Sequence, residues 1–441
     1  MILSLLLSTF TAHAALNIDL PRGENTVRFA IPGKAEELCF VPKHLPGADY
    51  GKKDAEREAE LCGYEVGTTV AACPKDNSTN PGVNFHSIPD GMTAEQVTAK
   101  ECEVPNPENP KKNLAKKEAK YKLSTSCSYT PSILGYYHFS RALGDIVNVP
   151  NAVVRTMDLD RHIALAKWGV KTTKPGDLIN KTWQGLLSAL EKGNRSDKAD
   201  LLLTERADQS YGALSRNPRG EEVYKEFFNG GTDRVAAFKA KNPIYKALTA
   251  SSLAVGREFT AENVQAMVQL RDAADFILLD TILGQQDRFG NIHAEEKYFY
   301  LKKNKKGEIE LSSKDKLKEV PEELQATAVK AKELILKDND CGVAKSNLIK
   351  DGKLLDGVAH MSPKTYRYLI QLSQQYNTPE FTQLLAQEVL FTDKDIQKVG
   401  QNLKEAVAML QGACRAGKLK LDLDLDLYFS GAALPTQYDC Q

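Results

Sequence analysis

Leu278-Leu279-Asp280-Thr281-Ile282-Leu283-Gly284-Gln285-Gln286-Asp287-Arg288-Phe289-Gly290-Asn291-Ile292-His293 is the stretch around which the whole chain is read. Its first half is apolar with helical spacing, and Gly284 stops it. Upstream, Thr260 is a good N-cap and Glu262 sits in the first turn, where the helix dipole favours an acid. The spacing predicts a helix from Thr260 to Leu283 with Val264, Met267, Leu270, Ala274, Ile277, Leu278 and Ile282 inward. That helix delivers an acid, a base and an amide into one short loop. A strand, Lys297-Tyr298-Phe299-Tyr300-Leu301, should follow.

The 441 residues suffice for two or three lobes with a real core. Lys plus Arg and Asp plus Glu are 58 each, so no global basic field points to nucleic acid. Residues 1–14 read as a secretory signal, with an apolar run followed by Ala12-His13-Ala14. That run is too short to span a bilayer, and no later segment is apolar enough. The expected location is therefore secreted, periplasmic or in the secretory-pathway lumen. Eight cysteines agree with export: Cys39, Cys62, Cys73, Cys102, Cys127, Cys341, Cys414 and Cys440. No CxxC occurs, which disfavours a zinc ribbon, and disulfides are expected instead. Five precede residue 130 and three follow 340, so full pairing requires an odd number of bridges between the two parts.

Residues 15 to about 150 look β-rich. Strands are expected at 25–31, 36–41, 61–70 and 118–124, with a long loop over 74–113. Ser132 to Leu143 has helical spacing, and 147–155 reads as extended chain. Beyond 156 the pattern is mostly helical, with strands at 297–301 and 308–311 and a helix at about 322–334. Ser362-Pro363 and Thr378-Pro379 are helix starts, and Asp393 to Arg415 is a long amphipathic helix. Lys418 to Leu427 alternates leucine with charge, as an edge strand or a solvated tail would. His138, His162, His293 and His360 lack close ligand spacing, so a metal-hydrolase reading finds no support. Asn77-Ser78-Thr79 fits a glycosylation sequon.

Three ordered segments carry a resemblance. The first is Ala119-Lys120-Tyr121-Lys122-Leu123. The second is Tyr136-Tyr137-His138-Phe139-Ser140-Arg141-Ala142-Leu143-Gly144, followed by Val149-Pro150. The third runs from Leu278 to Asn291, with Asp338-Asn339-Asp340-Cys341-Gly342 about fifty residues later. Together they resemble the atypical kinases of the secretory pathway (the Golgi casein kinase group), and more distantly the phosphatidylinositol, HipA and CotH kinases.

The resemblance implies an α+β, bilobal, protein-kinase-like fold. A small β-rich N-lobe would cover residues 15–150 and a larger, mostly helical C-lobe residues 151–441. It implies ATP with Mg²⁺ or Mn²⁺, and transfer of the γ-phosphoryl to a hydroxyl of a protein, glycan or small molecule. By the same resemblance Asp287 is the catalytic acid/base and Arg288 holds the loop. Lys122 is the nucleotide lysine, with Lys120 on the same strand face. Asp338, Asn291 and Asp340 are the metal candidates, Asp338 being preferred because it ends an apolar strand.

Phosphoryl transfer needs positioned charge more than covalent chemistry, which is why lysines, carboxylates and an amide are wanted. Three positions depart from the pattern. Phe289 stands where the family has His, and Asn291 follows the aspartate by four residues rather than five. Ile133 stands near the family's lysine-pairing glutamate, for which another acid, such as Glu118 or Asp145, would have to substitute, or the lysine goes unpaired. These departures motivate the alternatives of a silent pseudokinase acting as a binding module, or a kinase-fold AMP-transferase or ligase.

Overall fold

The computed structural model describes residues 15–102, 115–230, 232–435 and 437–440. The expected signal, 1–14, lies outside them. The chain is α+β, with an antiparallel sheet formed largely by its N-terminal part and a larger helical C-terminal part. The first sheet contains β1 (Asn25–Phe29), β2 (Glu37–Val41), β3 (Val70–Pro74), β4 (Gly82–Ser87), β5 (Lys117–Lys122), β6 (Ala152–Asp158) and β7 (Gln209–Arg216). Its order is β1-β2-β6-β7-β5-β4-β3, antiparallel throughout. A second sheet joins β8 (Glu222–Val223), β9 (His293–Lys303), β10 (Ile309–Lys314) and β11 (Val329–Ile335).

Alternation along the strands sorts side chains between two cores. Val83, Phe85, Ala119, Tyr121, Val153 and Leu214 pack with Leu165, Trp183 and Leu186 of the Leu159–Thr172 and Leu178–Lys192 helices. Ala152, Val154, Tyr211 and Ala213 face the other way, into the core of the Thr130–Ala142 helix and the C-terminal part. Because Tyr121 points to the first core, Lys120 and Lys122 must point to the second face. Every residue of Thr130–Ala142 is buried, so this helix is wrapped between sheet and helical part rather than amphipathic.

The Ala261–Leu283 helix forms as expected. The Thr260 side chain accepts from the Asn263 N–H, and Gly284 ends the helix with φ +79°. From Asp272 to Leu283 it is buried on all sides. Burial pushes the Asp275 carboxyl up to about 7, against the charge of Arg271 and a 3.0 Å hydrogen bond donated by Thr365. Its folded pKa exceeds the unfolded value, so the unfolded state loses its proton first as pH rises. Stability should fall between about pH 4 and 7 and level off above. Asp275→Asn is expected to match wild type in melting temperature at pH 4 and to melt several degrees higher at pH 8.

Several elements differ from the sequence expectation. The sheet does not end near residue 150, since β6 and β7 are central strands. Within the 74–113 span the described residues form β4 and an Ala94–Glu101 helix rather than a continuous loop. Lys52–Cys62 is a helix, and the expected strand at 61–70 is its end plus a turn before β3. Hydrophobic periodicity is blind to this helix, whose buried face carries Asp54 and Glu58 beside Leu61 and Cys62. Asp54 pairs with Arg141 at 2.9 Å, and Glu58 accepts from Tyr137 at 2.6 Å. The expected helix at 322–334 is a 3₁₀ turn, Glu322–Thr327, followed by β11, which the pairing with β9 draws into the sheet. Leu419, Leu421, Leu423 and Leu425 are buried, so the 418–427 segment is neither edge strand nor solvated tail.

All eight cysteines pair: Cys39–Cys62, Cys73–Cys102, Cys127–Cys341 and Cys414–Cys440. One bridge joins the two parts, as the odd-number argument requires. No helix among the described residues is long and apolar enough to cross a membrane.

Candidate active site

Four of the expected residues meet directly. Lys122 Nζ lies 2.8 Å from Asp340 Oδ2 and 3.5 Å from Asp338 Oδ1, and Lys120 Nζ is 3.7 Å from Asp338 Oδ1. Asp338 has a left-handed backbone, φ 54° and ψ 46°, which turns the chain sharply at the end of the 329–337 segment. Burial opposes the charge on Lys122, but Asp340 and Asp338 outweigh it and raise its pKa. Burial dominates at Lys120, which falls to about 7. Burial would raise the Asp338 carboxyl, yet Lys120, Lys122, Lys75 and Lys337 hold it well below the ordinary range.

The partner of Lys122 corrects the expected substitution for the missing helix acid. Glu118 pairs instead with Lys116 and Arg219, and Asp145 with Arg141. Asp340 takes the lysine from the opposite side, where it is only 2% exposed. It also accepts from Asn80 Nδ2 at 3.3 Å. Asn80 sits in the β3–β4 hairpin turn, which thus folds over the acid pair.

The loop after Gly284 runs beside the 337–342 segment. Gln285 bridges to Gly342, and the Gln286 N–H donates to the Cys341 carbonyl at 3.2 Å. Arg288 is the lock between them. Its Nε donates to Asp280 Oδ2 at 2.7 Å, and its Nη2 to Asp280 Oδ1 at 3.0 Å and Asn339 Oδ1 at 2.7 Å. Its Nη1 reaches the Lys337 carbonyl at 3.3 Å. Tyr136 completes the group by donating to Asp280 at 2.6 Å. The Cys127–Cys341 bridge and a 2.6 Å bond from Ser132 Oγ to the Asn339 carbonyl hold the same segment from the other side.

Asp287 itself is exposed. Asn291 Nδ2 donates to its Oδ2 at 3.0 Å and to its backbone carbonyl at 2.8 Å, and among the described residues Asn291 Oδ1 accepts no hydrogen bond. Asp287 lines a pocket of about 730 Å³ together with Arg234, Lys239, Gln286, Leu348 and Gly352. Phe289 is 4% exposed and packs on Phe238, ring centroids 4.7 Å apart, and on Phe276 at 6.2 Å. Phe289 therefore anchors the loop in the aromatic core.

The site thus has two parts. Lys120, Lys122, Asp338 and Asp340 form one, and Asp287 with Asn291 forms the other. Among the described residues no hydrogen bond or ion pair joins them directly, and Arg288 links their loops. No group of three or more His, Cys, Asp or Glu side chains suited to a metal occurs among the described residues. The oxygen donors in the first part are the carboxylates of Asp338 and Asp340, and in the second the carboxylate of Asp287 and the Asn291 amide; oxygen ligands are what Mg²⁺ and Mn²⁺ take. Between the lysines and Asp338 the free volume is only about 30 Å³, but a cleft of about 710 Å³ adjoins it at Pro150, Arg216 and Pro218.

Sequence reading missed Asp280, Tyr136, Lys75 and Asn80. Asp280 did leave a signal, as an acid inside the apolar run 278–283 that must find a partner when buried. Tyr136 lies in the second resembling segment but carries no assigned role there, and Lys75 and Asn80 left no signal, because their contacts join segments remote in sequence.

No protein-family model and no curated protein matches the chain. Among solved structures it is similar to one described as the crystal structure of the Golgi casein kinase. Identity there is 14% and the TM-score 0.44, with 84% of this chain and 80% of that chain covered.

Proposed function

We propose that this protein is a kinase-like phosphotransferase of an exported compartment, moving the γ-phosphoryl of ATP to a hydroxyl of a protein, glycan or small molecule. The observation that carries the reading is the lysine pair of β5 set against the Asp338–Asp340 loop, which Arg288 ties to the loop presenting Asp287. In phosphoryl transfer such lysines neutralise phosphate charge, and a carboxylate orients the attacking hydroxyl and takes its proton. Lys122 and Lys120 would contact the phosphates. Asp340 stays with Lys122, in the part of the acid absent at Ile133. Asp338, the more accessible acid, and Asn291 Oδ1 would hold Mg²⁺ or Mn²⁺, which bridges phosphate oxygens and offsets their charge. Asp287 faces the 730 Å³ pocket, where an acceptor would lie. The four disulfides support the exported compartment.

A second reading, the silent binding module, draws on the small free volume beside the lysines and on acids already engaged by them. Thermal melting and product analysis separate the two. With 1 mM ATP and Mn²⁺ the melting temperature should rise by several degrees, since ligand at a hundred times Kd adds about 2.7 kcal/mol. Slow ADP formation should accompany it. Neither Mn²⁺ alone nor Mg²⁺ alone should shift the transition, because lysines occupy the acids. Absence of both the ATP-dependent shift and ADP would reject the phosphotransferase, and AMP release in place of ADP would favour AMP transfer.

A further inference from the structure

β3, β4 and β5 are neighbours in fixed register. Pro74 faces Val83, the Lys75 N–H donates to the Gly82 carbonyl at 2.8 Å, and Gly82 faces Lys122. Lys75, Gly82 and Lys122 therefore occupy one rung across three strands. Side chains on one rung stand on the same face of a sheet. Val83, Phe85 and Tyr121 take the opposite face, so Lys75 and Lys122 both look toward Asp338 and Asp340. Between them Gly82 contributes no side chain, so the two lysines stand two strand spacings apart, about 9.5 Å, with Asp340 on this face held by Lys122. A Cβ at Gly82 would stand 3.1 Å from the Tyr121 carbonyl and 3.3 Å from Lys122 Cγ, so glycine is what lets the Lys122 stem lie close to this strand.

The charges do not balance in this corner. Lys122 is paired with Asp340, Lys120 with Asp338, and Lys337 with Glu221 at 2.6 Å. Lys75 forms no ion pair among the described residues. An ammonium held near others without a carboxylate of its own is costly, and it marks a place prepared for an anion. The turn that follows, Lys75-Asp76-Asn77-Ser78-Thr79-Asn80-Pro81, contains no glycine, so its backbone is poorly suited to the close phosphate approach that glycine allows.

We propose that Lys75 and Lys122, facing each other across Gly82, form a clamp for the polyphosphate of a nucleoside triphosphate. Lys75 then supplies by charge what a glycine-rich turn supplies through backbone N–H groups. The inference rests on the phosphotransferase reading and adds a phosphate-binding residue and a preference for tri- and diphosphate over monophosphate.

The test uses the full chain and three probes: inorganic tripolyphosphate, ATP with Mn²⁺, and inorganic phosphate. Lys75→Met should bind tripolyphosphate and ATP about tenfold or more weakly by calorimetry, the loss of a charge-assisted contact. Lys75→Arg should retain most of the affinity, and inorganic phosphate should bind weakly to all three proteins. Without ligand, Lys75→Met should melt at or above the wild-type temperature, because a like charge has been removed. A structural lysine would do the reverse, so a lower unliganded melting temperature with unchanged affinity overturns the clamp. If wild type and Lys75→Met bind and turn over ATP equally, the clamp falls and the phosphotransferase stands. If wild type binds neither ATP nor tripolyphosphate, both fall.

Discussion

Asp287→Ala is expected to lower phosphoryl transfer by about 10²- to 10⁴-fold, the range for removing a positioned general base, while the protein stays folded. The stability half of this expectation follows from exposure. Asp287 reaches solvent, and among the described residues its carboxylate accepts a hydrogen bond from Asn291 alone. Losing it leaves no buried charge, so unfolding free energy should change by no more than about 0.5 kcal/mol. The activity half follows from position, since Asp287 faces the pocket while Arg288 beside it is locked inward. If the carboxylate acts on the acceptor hydroxyl, kcat should carry the loss and the nucleotide-induced melting shift should persist. Asp287→Asn keeps size and the contact with Asn291 but cannot take a proton, so it should be nearly as slow. Full turnover in a correctly folded Asp287→Ala protein would reject the catalytic assignment.

Arg288→Ala should cost about 3–5 kcal/mol of stability, the range for breaking a buried ion pair by removing one partner. Arg288 is 2% exposed and Asp280 fully buried. The substitution strands the Asp280 carboxylate, left with the Tyr136 hydroxyl, and removes the donor to Asn339 Oδ1 and the Lys337 carbonyl. Lysine should rescue poorly, because the contacts diverge from a planar guanidinium that an ammonium cannot copy. Urea unfolding of the two variants checks the cost. The double variant Arg288→Met with Asp280→Leu should recover much of the stability, since well-packed apolar pairs can replace buried ions. It should not recover activity, because the tie between the Asp287 loop and the 337–342 segment is gone. A change below about 1 kcal/mol in Arg288→Ala would mean that packing, not this pair, holds the loops.

Legibility in the sequence tracked how local each feature is. Thr260, Ser362 and Thr378 announce helix starts because capping depends on neighbours three residues away. The Lys52–Cys62 helix was hidden because its inner face holds acids whose partners, Arg141, Asn151 and Tyr137, lie far along the chain. The α+β division was visible, whereas the membership of β6 and β7 in the first sheet was not, since pairing across a sheet leaves no mark on either strand alone. In the site, Lys120, Lys122, Asp338 and Asp340 were nominated only through the resemblance carried by the ordered segments around them. The choice of Asp340 as the lysine's partner could not be read there.

By itself the sequence determined the Ala261–Leu283 helix, its stop at Gly284, the shared face of Lys120 and Lys122, and the need for an odd number of disulfides between the two parts if all eight cysteines pair. Period, capping and parity are local or countable, and they survive any folding of the rest. The tertiary structure alone decided that Asp340 meets Lys122 across 218 positions, that Arg288 turns inward while Asp287 turns out, and that Lys75 shares a rung with Lys122. Polar partners are chosen by where burial has removed water. The loop at 284–292 is therefore defined as much by Asp280 beneath it and Asn339 beside it as by its own residues.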